Sequence, residues 1–512
     1  MSPALVAFAG AQAPFVHPGI LHRTADLERM RDEVAAGQEP YVTGWERLRT
    51  DPRAALDYSP DPHTYVQRIP DTFTYEALIN DAIAAHTQAI AWAITGNETY
   101  AINSMRVLNA WSSTLTSFPP TGDPILASSI TGYQLAAAGE VLRATYPSWP
   151  VEDQERLEAL LLQVFYPPNH NFLLYHEPDG QVHTSTGVNQ HFYASWDAGS
   201  IATIIAIAVF ADDRERYDEA VEYFKSGTGN ANIMRAVFDG ATGQLQESGR
   251  DPEHAQLGIG LLATFCEIAW NQGDDLYGYA DNRLLAGFEY TASYLLGNSV
   301  PFTTYSDPFR THTAISSESS ASQIAQAMNA PRPIFEMVWN HYENRRGVPA
   351  PFTRQLANAH RPEGFRADHI GFGTILFTRD YDPADATGVP GEGPDAGTTG
   401  PMNGGVGADA GATTDGAVTT SGVNTGGAGA GTASPGGTNA ASTPGNAIGD
   451  TGASVANDGR EQSVSGCSCR TGSADPTGHA FSLLVVFAAA FMRRTLAPPR
   501  AKCERCCSPN RR

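Results

Sequence analysis

The chain has 512 residues, a formal net charge of −22 and only six cysteines. That length is ample for a large core, and so acidic a balance argues against a nucleic-acid partner, which calls for basic stripes. A polyanionic ligand would require a local basic cleft within the acidic chain.

Composition divides the chain. Nearly all Trp, Tyr and Phe lie between Phe15 and Arg379, whereas residues 381–464 are rich in Gly, Ala, Thr, Asn and Asp. Such a stretch cannot bury enough apolar area to offset its ordering entropy and is expected to be a disordered linker. The expected organisation is a signal-peptide remnant over 1–13, one large domain over 14–380, the linker over 381–464 and a terminal module over 465–512. The opening MSPALVAFAGAQAPF has an apolar stretch and a cleavage-type tripeptide, Ala11-Gln12-Ala13, but no basic segment ahead of them. Export to the periplasm or the outer cell surface, with the protein held there or released, is the expectation. Cys266 alone among the cysteines falls in the large domain, inside the apolar run LLATFCEIAW, and reads as a buried, inert thiol.

The large domain reads as helix after helix. Tyr75 to Thr95 is the first clear one, stopped by Gly96-Asn97, and Glu98 to Ser112 follows. Tyr133 to Thr145 is closed by Pro147. Val151 to Phe165 opens with acidic residues suited to a positive helix N-terminus and is expected to end before Pro167-Pro168. Trp196 to Phe210, Arg216 to Phe224, Pro252 to Asn271 and Asn282 to Leu296 continue the pattern. Ile334 to Glu343 is helical, Pro349-Ala350-Pro351 breaks the chain, and Gly371 to Phe377 reads as a strand. Paired helices with short polar turns, and no sequence repeat, predict an all-α fold of the α/α toroid type, complete or incomplete, with a small β element at its end.

After the linker come Gly466-Cys467-Ser468-Cys469-Arg470, an apolar run from Ala480 to Met492, and Arg493-Arg494. The run is shorter than the roughly 20 residues a transmembrane helix needs, so an interfacial or buried helix is the plain reading. The order of parts resembles the C-terminal sorting signal of myxobacterial surface proteins. By that resemblance Cys467 is the processing or lipid-attachment residue, and the membrane is met only through this segment. The stretch from Thr495 to Arg512 lies beyond the pattern.

Several segments of the large domain carry a second resemblance: HPGILHRTADLERMR, AIAWAITGNETYA, VLNAWSSTL, GYQLAAAGEVLRATYPSW, NQHFYASWDAG, the long run from Gly243 to Asn298, and RPEGFRADHIGFGTILFTR. In this order, from His17 to Arg379, they are similar to the alginate lyase family. The resemblance implies a toroid and β-elimination on an acidic, uronate-containing polysaccharide. Elimination removes the proton at C5 beside a carboxylate. It therefore needs groups that stabilise the developing dianion, a base for the proton and an acid for the departing O4. It requires no metal, and no cofactor is expected.

Two clusters supply those residue types. In Asn189-Gln190-His191-Phe192-Tyr193, either amide is a candidate carboxylate ligand, with His191 and Tyr193 as catalytic candidates. The family places Asn directly before its catalytic His, whereas Gln190 stands there in this chain. In Arg250-Asp251-Pro252-Glu253-His254, Asp251 is a good N-cap and Pro252 fits the first helical position. Arg250 then stands beside helix N–H groups as a substrate-carboxylate ligand, and the positive helix end favours a neutral His254 as base. The plain structural alternative pairs Arg250 with Glu247 or Asp251 and leaves His254 on the surface. The base is His254, or a tyrosine with Tyr193 and Tyr133 the first to try. His17, His22 and His183 have no ligand-like spacing partner. Two other functions compete: a glycoside hydrolase on a similar toroid, with carboxylates such as Asp197, Glu247 or Asp251, and a non-catalytic glycan-binding protein.

Overall fold

The computed structural model describes residues 13–184, 192–305 and 327–381. The linker, the Cys467 segment and the apolar run after it lie outside the described residues, as do Asn189, Gln190 and His191. Among the described residues no helix is long and apolar enough to cross a membrane.

The fold is all-α. Its helices are α1 (Thr24–Ala35), α2 (Tyr41–Arg49), α3 (Phe73–Thr95), α4 (Glu98–Thr114), α5 (Pro124–Thr145), α6 (Val151–Leu160), α7 (Tyr166–Tyr175), α8 (Ala194–Phe210), α9 (Arg214–Ser226) and α10 (Ile233–Ala236). They continue with α11 (Pro252–Asn271), α12 (Tyr279–Leu295), α13 (Phe335–Trp339), α14 (Pro351–Ala359) and α15 (Gly373–Leu376).

An inner row runs α3, α5, α8, α11, each packed on the next, while α4, α9 and α12 back α3, α8 and α11 from outside. From α12 the contacts pass through α13 and α15 to α1 and return to α3. This layering is that of an α/α toroid. The inner helices are apolar nearly all round, as buried helices must be; in α8 every residue from Ala194 to Phe210 except Trp196 is buried. Small residues let α5 and α8 approach closely. A Cβ at Gly132 would collide with Thr203, and one at Gly199 with the Ser129 hydroxyl. The Thr203 hydroxyl then donates to Ser129 O at 2.6 Å and accepts from Tyr133 N–H at 2.9 Å, so this apolar crossing has fixed register.

Local signals set many helix ends. Gly96 takes the left-handed conformation (φ 65°) that closes α3, and the Asn97 side chain accepts the Thr99 N–H to open α4. Helix α5 starts earlier than expected, because Pro124 occupies its first turn and the apolar pattern extends back to it. The segment after α6 does not stop at the prolines. A π-helical turn over Leu161–Phe165 leads directly into α7, and this wider turn just ahead of Pro167 carries the chain past a residue that has no N–H to donate back.

The expected strand is absent. Gly371 and Phe372 both have positive φ (74° and 56°), which breaks an extended run, and Gly373–Leu376 forms one helical turn with every residue buried. Among the described residues β pairing is limited to isolated bridges, so this segment has no strand to join. Cys266 is free and fully buried, and burial pushes its thiol well above the ordinary range.

Candidate active site

The first turn of α11 and the start of α8 meet at one cluster. Asp251 caps α11 through its side chain, accepting the His254 N–H at 2.7 Å, and Pro252 takes the first helical position as the spacing predicts. The same carboxylate reaches back to the imidazole, with Asp251 Oδ2 2.7 Å from His254 Nδ1. A carboxylate there holds the proton on Nδ1 and leaves Nε2 as the basic nitrogen. Desolvation would raise the Asp251 carboxyl, but the hydrogen bond and charge of His254 outweigh it and hold the group below its ordinary range.

Arg250 precedes the cap. Its Nη1 donates to Glu247 Oε1 at 2.8 Å, and its Cζ lies 4.2 Å from the centroid of the Tyr193 ring, the residue that starts α8. Glu247 is buried, and desolvation raises its carboxyl despite the opposing charge of Arg250. The Arg250–Glu247 pairing of the plain structural alternative is therefore present, yet the guanidinium also faces Tyr193. Tyr193 and Arg250 thus meet, and the Glu247 carboxyl feels the charges of both Arg250 and His254, the latter held by Asp251. His254 is about one-third exposed, so a substrate can reach it.

The sequence profile described as alginate lyase matches residues 29–302. The chain belongs to the alginate lyase family. No curated protein matches it in sequence. Among solved structures, a histidine-to-alanine variant of alginate lyase A1-III complexed with tetrasaccharide is 18% identical, covers 70% of this chain and 95% of its own, and superposes with a TM-score of 0.48. Alginate lyase A1-III from Sphingomonas species A1 is 15% identical over 69% of this chain and 95% of its own, with a TM-score of 0.45. An alginate lyase from Bacteroides ovatus is 12% identical over 55% of this chain and 84% of its own, with a TM-score of 0.44.

In this alginate lyase family chain the N-terminus of α11 is less open to a substrate carboxylate than the spacing suggests, because Asp251 already accepts one of its N–H groups. Tyr133 is fully buried, its hydroxyl donates to Asp368 O at 3.1 Å, and burial pushes its pKa up, which suits a packing role better than that of a base. Asp197 is buried under the Tyr223 hydroxyl, which donates to it at 2.5 Å, and is closed off from a sugar. His17 pairs with Glu140 and Asp212, His183 with Asp179, and His22 is buried beside His86 and Phe377.

Several groups escaped the sequence reading. Asn230 donates to Phe192 O at 2.6 Å and so anchors the chain just before Tyr193. Arg332 donates to Glu253 O at 3.0 Å and pairs with Asp368, while Arg366 pairs with the Glu253 side chain. These partners come from segments far from α11 in sequence. The only local signal was the pair of prolines flanking Arg332, which marks a turn and no chemistry.

Proposed function

We propose that the domain over residues 14–380 cleaves an acidic, uronate-containing polysaccharide of the alginate type by β-elimination. The observation that carries this reading is the contact of the Arg250 guanidinium with the Tyr193 phenol ring beside Glu247, whose carboxyl also feels the charge of His254, an imidazole oriented by Asp251, in a chain of the alginate lyase family. Arg250 neutralises the uronate carboxylate as charge builds on it. His254, held by Asp251 through Nδ1, takes the C5 proton at Nε2, and Tyr193 hands a proton to the departing O4. Asn189 or Gln190 and His191, two residues before Tyr193 in sequence, complete the carboxylate clamp and the proton transfer.

The test incubates the full chain with a panel of uronate polymers in the presence of chelator. Rising ultraviolet absorbance, the mark of an unsaturated uronate, is the expected result. New reducing ends without absorbance would mean a hydrolase, and retained binding with neither would mean a glycan-binding protein.

The export and surface-sorting readings are also proposals, supported by the order of Cys467, apolar run and arginines in the sequence. Cys467→Ser is expected to release the protein from cells, and unchanged retention would count against the sorting role.

A further inference from the structure

A cavity of about 200 Å³ lies between α2, the chain entering α13, the end of α14 and the loop from Glu363 to Arg366. Three guanidinium groups, those of Arg47, Arg332 and Arg366, line it in a chain whose net charge is −22. Two of them are held from behind. Arg332 is fixed by Asp368 and the Glu253 carbonyl, while Arg366 is fixed by the Glu253 carboxylate and donates to Ala330 O at 2.6 Å. Arg47 is different: it is exposed, and among the described residues it pairs with no carboxylate. Its guanidinium lies across Gly364, where a Cβ would collide with it, so the missing side chain lets the charge lie over the cavity.

The remaining lining is of two kinds. Pro331, Pro333 and Phe365, each only partly buried, offer an apolar wall, and His360 and Glu363 offer polar atoms. Glu363 is buried; its Oε1 accepts the N–H groups of Phe335 at 3.2 Å and Glu336 at 3.1 Å, and its Oε2 has no partner among the described residues. Burial, with Glu336 beside it, pushes this carboxyl up to about 8, so at neutral pH it carries a proton and can donate.

We propose that this cavity is a second binding site, for one pyranuronate unit, with the sugar carboxylate held by Arg47 and Arg366 and the ring lying on Pro331, Pro333 and Phe365. Pockets for drug-sized ligands begin at about 300 Å³, so the cavity suits a single sugar ring and not a length of polymer. A guanidinium pair matches a carboxylate by charge and fork geometry, and the apolar wall matches the C–H face of a pyranose. A bare phosphate would use the arginines and leave the wall unused. The site adjoins α11, because Arg366 is paired with Glu253, the residue before His254. The choice of a uronate as ligand rests on the lyase reading; the anion site rests on the arginines alone.

The experiment titrates the full chain calorimetrically with D-mannuronate and D-glucuronate, with D-glucose and inorganic phosphate as controls. It compares the wild type with Arg47→Ala, Gly364→Ala and Arg250→Ala. The expected result is uronate binding that weakens by about ten-fold or more in Arg47→Ala and Gly364→Ala and persists in Arg250→Ala. Arg47 is exposed, so its loss leaves the fold intact. Four results would overturn the proposal: no uronate binding to the wild type, binding unchanged by Arg47→Ala, binding lost only in Arg250→Ala, or phosphate or glucose binding as well as the uronates. Unsaturated-product formation is followed in parallel. Arg47-dependent uronate binding without any absorbance would sink the lyase reading and leave this site standing; absorbance without such binding would do the reverse.

Discussion

The guanidinium of Arg250 lies over the ring of Tyr193, Cζ to centroid 4.2 Å, while one of its nitrogens holds the buried carboxylate of Glu247 at 2.8 Å. One residue therefore joins the start of α8 to the start of α11, beside a carboxyl that also feels the charge of His254. Arg250 has both a structural partner and a free direction, and its two roles can be separated by substitution.

Arg250→Lys should keep the charge beside Glu247 but lose the planar fork, so kcat/KM on the best uronate polymer should fall by about 10-fold to 100-fold with little change in melting temperature. Arg250→Ala should add a stability loss, because Glu247 is left buried without its cation. Pairing Arg250→Ala with Glu247→Gln should recover stability and no activity. Steady-state absorbance kinetics and thermal melts check both arms, and full activity in the lysine variant would remove Arg250 from the mechanism.

Asp251→Asn keeps an N-cap, since Asn caps as well as Asp, but replaces the carboxylate that faces His254 Nδ1. Turnover should fall by roughly 10-fold or more while helix stability changes by less than about 1 kcal/mol. The carboxyl is held below its ordinary range in the fold. Its contribution to stability is therefore complete above about pH 4 and is lost as pH falls through the folded value. Urea midpoints across acid pH should show that loss in the wild type and lack it in Asp251→Asn.

Glu363 moves the opposite way. Burial and the neighbouring Glu336 push it up to about 8, against about 4.3 in an unfolded chain. The unfolded state then releases this proton first, so stability declines as pH rises from about 4 and levels off above the folded value of about 8. Glu363→Gln retains an acceptor for the Phe335 and Glu336 N–H groups and cannot ionise. It should match the wild type near pH 4 and exceed it near pH 8.5, read as denaturant midpoints; a variant less stable at both would contradict the assignment.

His22 gives an acid-side counterpart. Burial lowers it to about 4, against about 6.5 when unfolded, and both of its ring nitrogens lack a hydrogen-bond partner among the described residues. Protons therefore favour the unfolded chain, and stability present above about pH 6.5 is lost as pH falls toward 4, by roughly 3 kcal/mol in all. His22→Gln should flatten the midpoint-versus-pH curve across that window. An equally steep curve in the variant would assign the slope to other groups, His86 first among them.

What was legible in the sequence was local. Helix α11 has the predicted bounds, Pro252 to Asn271, because an Asp cap, a proline at the first position and an apolar run act within a turn or two of the residues that carry them. Gly96 stopped α3 for the same kind of reason, as the residue that adopts the left-handed conformation without strain. The family, too, was legible, because its segments recur in order along the chain. Long-range packing decided the rest. Gly371 to Phe377 has a strand-like run of β-branched and aromatic residues, but a strand requires a partner, and a slot between helices forced one helical turn instead. Likewise Arg250 faces Tyr193, and Arg332 and Arg366 gather on Glu253, only because α8, α11 and the 363–369 loop are pressed together by the burial of their apolar faces. No spacing rule encodes those pairings. They are set by which surfaces the core brings within reach of one another, and that is a property of the packed chain.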